Sequence, residues 1–118
     1  VYHDNSEKME EATLLGGMRT GPSVSWHENG QKSGEGVFKD GKKDGEWTSY
    51  YSNGVKNWEG FFHAGKIEGK STFWHENGEK WEEGIFRDGR REGEWQRWNK
   101  DGTSNGNDIY KDGNEIGE

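Results

Sequence analysis

The sequence predicts an all-β protein: an array of antiparallel β-hairpins with two strands in each 24-residue unit. Three observations carry this. First, Gly21, Gly45, Gly69, Gly93 and Gly117 fall 24 residues apart, and so do Gly30, Gly54, Gly78 and Gly102, and Gly17, Gly41, Gly65, Gly89 and Gly113. A fixed period of this size marks a repeat architecture. Second, every unit holds two turn signals: Asn29-Gly30, Asn53-Gly54, Asn77-Gly78 and Asp101-Gly102, then Asp40-Gly41, Ala64-Gly65, Asp88-Gly89 and Asp112-Gly113. Asn-Gly and Asp-Gly between short aromatic or β-branched runs are strong hairpin signals, because Gly reaches positive φ without strain. Third, aromatic residues keep step with the glycines: Trp26, Tyr50, Trp74 and Trp98 in one slot, Phe38, Phe62, Phe86 and Tyr110 in another. Glycines recurring this often exclude helix interiors.

Taken in order, the chain opens on a degenerate partial repeat, residues 1–20. Tyr2–Lys8 stands one period before Trp26–Lys32, Ser6 replaces a turn glycine, and Leu14 holds the slot of Phe38. Four fuller copies follow at 21–44, 45–68, 69–92 and 93–116. The last has lost Trp58 and Glu82 to Gly106, and Gly84 to Asp108. Residues 117–118 begin a further copy. Each copy reads strand, turn, strand, turn, giving about nine or ten strands in the whole chain. Both ends are thus cut inside repeats, and Val1 in place of Met points to an upstream segment. The terminal strands are expected to be open edges, which flanking sequence covers or copies of the chain pair edge to edge.

Turn length decides which residues share a face. Three-residue loops with a left-handed Gly and a bulge place the Trp26 slot and the Phe38 slot together. Two-residue loops instead place Trp26-type residues with Val37, Phe61, Ile85 and Ile109. The first arrangement joins both all-aromatic slots into one core and is preferred on that ground. It makes Trp26-type and Phe38-type residues the most buried aromatics, with Gly36, Gly60 and Gly84 leaving room for neighbouring rings. It also sets Trp47, Phe61, Phe73, Trp81 and Trp95 on the opposite face. Ser23 and Ser71 occupy the slot of Trp47 and Trp95 in other copies, so folding does not demand Trp there. These five residues are the candidate partner-binding set, since exposed aromatics together exceed the usual apolar patch and Trp is enriched at interface hot spots.

Composition alone would argue for disorder: charged residues make up 33% and Leu, Ile, Val and Phe only about 13%. The 16 aromatics offset this, because each buries roughly 150–250 Å². The net charge of −7 disfavours nucleic acid and anionic membrane surfaces as partners. Without Cys there is no disulfide scaffold. No apolar run approaches the length of a transmembrane helix, and no signal peptide is read.

Trp58-Glu59-Gly60-Phe61-Phe62, followed by Gly65, Gly69 and an aromatic before Asn77-Gly78, resembles the Tyr-x-Gly-x-Phe/Trp…Gly…Gly pattern of MORN repeats. The 24-residue unit with its leading Gly-x-Trp is similar to the bacterial variant in antitoxin-like (YwqK-type) proteins. The resemblance covers nearly the whole chain. It implies a twisted, curved antiparallel meander with aromatics stacked on one face, and a non-enzymatic role in protein contact, with an antitoxin or immunity protein binding a toxin as the bacterial instance. Association with lipid is a third role in the family. It carries over no catalytic, metal or cofactor residue.

The residues themselves agree on chemistry. His3, His27 and His75 share a slot, each followed by an acid, but equivalent residues in successive copies sit about 10 Å apart, too far to close on one metal. Glu35, Glu59 and Glu83 form a carboxylate ladder whose spacing the repeat creates automatically, so it does not signal glycoside hydrolysis. No nucleotide-binding or nucleophile motif is present. A cell-wall glycan or choline-binding module is the alternative to protein binding, since aromatic cages attract quaternary ammonium groups.

Overall fold

The computed structural model describes residues 10–15 and 18–117. Tyr2–Lys8, with His3, lies outside them. Among the described residues all regular structure is β: β1 (Glu10–Leu15), β2 (Met18–Trp26), β3 (Lys32–Lys39), β4 (Lys42–Lys43), β5 (Gly45–Tyr50), β6 (Lys56–His63), β7 (Lys66–Ile67), β8 (Gly69–Trp74), β9 (Lys80–Arg87), β10 (Arg90–Trp98), β11 (Ser104–Lys111) and β12 (Asn114–Gly117). They form a single antiparallel sheet in chain order, β1-β2-β3-β5-β6-β8-β9-β10-β11-β12, with β4 and β7 as short first pieces of the strands that β5 and β8 continue. Among the described residues the sheet therefore has ten strand positions, in keeping with two strands per period.

The two turns of each unit differ. At Asn29-Gly30 the loop is three residues long. His27 N donates to Gln31 O at 2.8 Å, Gly30 N donates to His27 O at 3.0 Å, and Gly30 has φ 88°. A one-residue bulge follows, because Ser25 pairs with Gly34 while Trp26 pairs with Lys32. At Asp40-Gly41 the loop is two residues long, with φ 51° and 81°, the both-positive turn that matches strand twist. Ala64, the one departure from Asp, still adopts φ 50°.

Beyond that turn the returning strand carries two extra residues. Phe38 pairs with Lys43, but Glu35 pairs with Thr48. The extra residues include the leading glycine, and Gly45 and Gly69 sit at φ 82° and 81° with nothing within 4 Å of an added Cβ. The backbone conformation, not space, keeps these positions glycine.

These turns overturn the preferred face assignment. The Asn-Gly turn has the expected three-residue loop and bulge, but together they put Ser25 opposite Gly34, so that Trp26 falls in with Glu35 and Val37 and not with Phe38. The two-residue Asp-Gly loop then pairs Phe38 with Lys43 and leaves Tyr50 on the Trp26 side. Trp26-type residues share a face with Val37, Phe61, Ile85 and Ile109, and the Phe38 slot lies on the other side.

Successive units are tied through their turns. The Asn29 side chain donates to Ser52 O at 2.6 Å, and Asn53 and Asn77 repeat the contact to Glu76 O and Lys100 O at 3.1 and 2.6 Å. Their Oδ1 atoms accept the N–H of the residue two ahead. On the other rim, Gly41, Gly65, Gly89 and Gly113 donate to Arg19, Lys43, Ile67 and Arg91 carbonyls at 2.8–3.0 Å. The turn dipeptides thus close hairpins and also stack each copy on the next.

Candidate interaction surface

The buried face is built on alternation of small and large residues. Ser23 faces Gly36, Trp47 faces Gly60, Ser71 faces Gly84 and Trp95 faces Asp108 across successive strands. The indole of Trp47 lies on the backbone of Gly36, where an added Cβ would come within 2.1 Å of the ring. Trp95 lies on Gly84 in the same way, at 2.2 Å. Each indole N–H donates to a strand carbonyl, Trp47 to Val37 O at 2.9 Å and Trp95 to Ile85 O at 3.1 Å. Over Gly60, Ser71 supplies no ring, and Trp58 from the same strand folds across instead. Trp58 Nε1 and Ser71 Oγ are buried there without a protein partner. Ring contacts then run without a break from Phe38 through Trp47, Phe62, Trp58, Phe73 and Trp95 to Tyr110, with centroids 5.1–6.4 Å apart.

Trp47 and Trp95 are therefore core residues, 9% and 0% exposed, and not surface residues as the sequence predicts. Phe73 lies among the same rings. Trp26, Tyr50, Trp74 and Trp98, and Phe38, Phe62, Phe86 and Tyr110, expected to be the most buried aromatics, are all only half-buried. Of the five candidate residues, Phe61 and Trp81 are exposed, at 45% and 46%. Trp81 stacks on the His75 ring at 5.3 Å. Phe61 belongs to a row that sequence reasoning missed: Val37, Phe61 and Ile85 hold one slot in three copies, all exposed. The signal was present in the two-residue-loop alternative, which grouped them.

The open face carries this row beside the Trp26-type slot. Lysines cross the aromatics: Lys56 Nζ lies 5.6 Å from the Trp74 ring centroid, and Lys80 Nζ 5.6 Å from that of Trp98. The same lysines pair with the carboxylate ladder, Lys56 to Glu59 at 3.0 Å and Lys80 to Glu83 at 3.2 Å, with Lys32 to Glu35 at 2.7 Å. Burial would raise the Glu83 pKa, but hydrogen bonds from Thr72 (2.7 Å) and Lys80, with the charges of Lys80 and Lys70, hold it below the ordinary glutamate value. The ladder is thus a set of ion pairs rather than a free acid–base pair. His27 and His75 each donate Nε2–H to the next copy, to Tyr50 O at 2.8 Å and Trp98 O at 3.0 Å. Among the described residues no three His, Asp or Glu side chains converge as a metal site, and no helix is long and apolar enough to cross a membrane.

Comparison with curated proteins gives no match. The sequence profile of the MORN repeat variant matches residues 19–40, 43–57 and 67–88, half of the chain. With that match, and a hairpin sheet of the same period running through it, the chain belongs to the MORN repeat variant family, whose repeats are non-catalytic binding modules for proteins and membrane lipids.

Proposed function

We propose that the chain is a protein-interaction module that engages its partner with the open face, along the row Val37, Phe61 and Ile85. The observation that supports this is the row itself. These residues are 42%, 45% and 53% exposed. One copy advances two strands, so they stand about 10 Å apart in a line across the sheet. Their cross-strand neighbours Glu46 and Lys70 face Phe61 and Ile85, giving the line a polar rim. Apolar side chains inside a polar rim are the usual anatomy of a protein interface. The net charge argues against an anionic lipid surface. Lysines already lie over the rings of Trp74 and Trp98, which argues against a choline cage. A toxin neutralised by occlusion is the partner suggested by the likeness to bacterial antitoxin-like variants.

The test is capture of partners from the native cell extract by the wild type and by a Val37→Ser, Phe61→Ser, Ile85→Ser variant. Exposed positions should leave stability within about 0.5 kcal/mol per substitution. A purified captured protein should bind the variant at least about tenfold more weakly by calorimetry. Equal binding by the two proteins would remove the row as the interface, and retention on choline or glucan resin would favour the alternative module.

A further inference from the structure

Two places on the buried face, 48 residues apart in sequence, share a cation over two rings but differ in what pairs with it. In the C-terminal place, the Arg91 guanidinium lies over the rings of Trp95 (4.3 Å) and Tyr110 (5.4 Å). Its two terminal nitrogens are held by Glu82, Nη1 at 2.9 Å and Nη2 at 2.6 Å. This is a bidentate, charge-assisted pair, the strong kind. In the N-terminal place, the Lys43 ammonium lies over Trp47 (4.7 Å) and Phe62 (5.1 Å), the counterparts of Trp95 and Tyr110. The counterpart of Glu82, however, is Gly34. Among the described residues no carboxylate pairs with Lys43.

Where the Glu82 side chain lies in one place, the other has an open pocket of about 450 Å³. Lys43 and Gly34 both line it, with Ser25, Ser33 and Ser49, and with Trp58 and Phe73 among the aromatic residues. Ser25 and Ser49 replace Phe73 and Arg97 of the C-terminal place, so the wall there is both smaller and less charged. The volume falls within the range of small-ligand sites, and the lining is apolar with a few placed polar groups, as such sites are.

We infer that this pocket binds a small, free monocarboxylate carried on an apolar, ring-sized body. The ligand carboxylate takes the place on Lys43 that Glu82 takes on Arg91. Its body lies against the aromatic floor. Ser33 Oγ donates to Ser25 Oγ at 2.8 Å, whereas Ser25 and Ser49 donate only at 3.5 Å, to Gly34 O and Asn57 Oδ1, and turn from those weak contacts to the second carboxylate oxygen. A pocket of this size suits one small molecule, while the extended row proposed for a protein partner lies on the opposite face. The net charge of −7 opposes an anion at long range, but that field is screened beyond about 8 Å at physiological salt. Nothing here depends on the role of the open face.

The probe is 3-phenylpropionate, titrated into the full chain at physiological ionic strength and followed by Trp fluorescence and by amide and indole NMR shifts. Saturable binding is expected, with shifts at Trp47, Trp58 and Ser49. The uncharged 3-phenylpropionamide and the Lys43→Gln variant should each show affinity lower by about tenfold or more, the loss of a charge-assisted contact. Gly34→Glu should do the same by supplying the missing carboxylate from within. The position accepts a side chain: an added Cβ meets only Thr48 O at 3.4 Å and Ser25 Oγ at 3.5 Å, and Gly34 is not at positive φ. Phe61→Ser, on the other face, should bind the acid as the wild type does. No saturable binding, equal binding of acid and amide, or unchanged affinity in Lys43→Gln would overturn the site. Binding of an N-acetyl-Phe-Glu-Phe amide peptide but not the free acid would overturn the small-molecule source. Should Gly34→Glu not fold, Lys43→Gln and the amide decide.

Discussion

The two faces of this sheet both carry a fully aromatic slot, half-buried on each, yet only the Phe38 face adds buried indoles, Trp47 and Trp95, to make a core. On the buried face the Phe38 slot adjoins glycines at 36, 60 and 84, and indoles lie flat against the backbone there. On the open face the strand partners of Trp26, Tyr50 and Trp74 are Lys32, Lys56 and Lys80. Lysine stems cover part of the rings and leave the ammonium in water, so those aromatics stop at half burial. The difference teaches that the small residue opposite an aromatic, more than the aromatic itself, decides where a single-layer sheet can make a core.

The largest break in this comparison is Trp95→Ala. Trp95 is fully buried and touches Phe73, Phe86 and Tyr110. Its loss should cost about 3–5 kcal/mol, as for a buried aromatic. Trp74→Ala on the open face should cost roughly 1–2 kcal/mol, since half the burial is at stake. Denaturant unfolding of both variants measures the contrast, and equal losses would mean the two faces contribute alike. The glycines sharpen it further. Gly84→Ala forces a methyl against the Trp95 ring and should destabilise by about 1–3 kcal/mol. Gly34→Ala meets only ordinary contacts and should range from neutral to a gain of roughly 0.5–1 kcal/mol through the unfolded chain. If both glycines tolerate Ala equally, close approach of the indole is not what Gly84 provides.

The period, the strands and both turn positions were legible, because glycine and Asn-Gly or Asp-Gly punctuation is local chemistry. The faces were not. Parity along a strand reverses with one inserted residue, and the bulge expected at the Asn-Gly loop falls between Trp26 and Gly34, where it sends Phe38 to the face opposite Trp26. The Trp47 and Ser71 alternation misled for a second reason. Ser23 and Ser71 imply from sequence that folding does not demand Trp in the slot. In the fold, Trp58 stands where its counterparts are Gly34, Glu82 and Gly106, and fills the space Ser71 leaves over Gly60. A core substitution compensated from a different slot cannot be told from a neutral surface one without knowing which slots touch.

The smallest expected effect tests the open face by pH. Glu83 is the best-connected member of the carboxylate ladder, bonded to Thr72 and Lys80 and 3.8 Å from Lys70. Its pKa in the folded chain lies below the ordinary value of 4.5 despite burial, because those donors and charges favour the carboxylate. A depressed folded pKa means the group binds its proton more readily when unfolded. Its stabilisation is therefore complete above the unfolded value and is lost as pH falls through the folded one. Thermal unfolding of the wild type and Glu83→Gln should differ most near neutral pH and converge as the pH drops below about 4.5. Raising the salt should shrink the neutral-pH difference only in part, because the Thr72 hydrogen bond is not an ion pair. The same scan on a buried-face variant such as Gly84→Ala should run parallel to the wild type, since no titrating group is changed. A difference at Glu83 that stays constant to acid pH would show that the residue acts there by packing and not by charge.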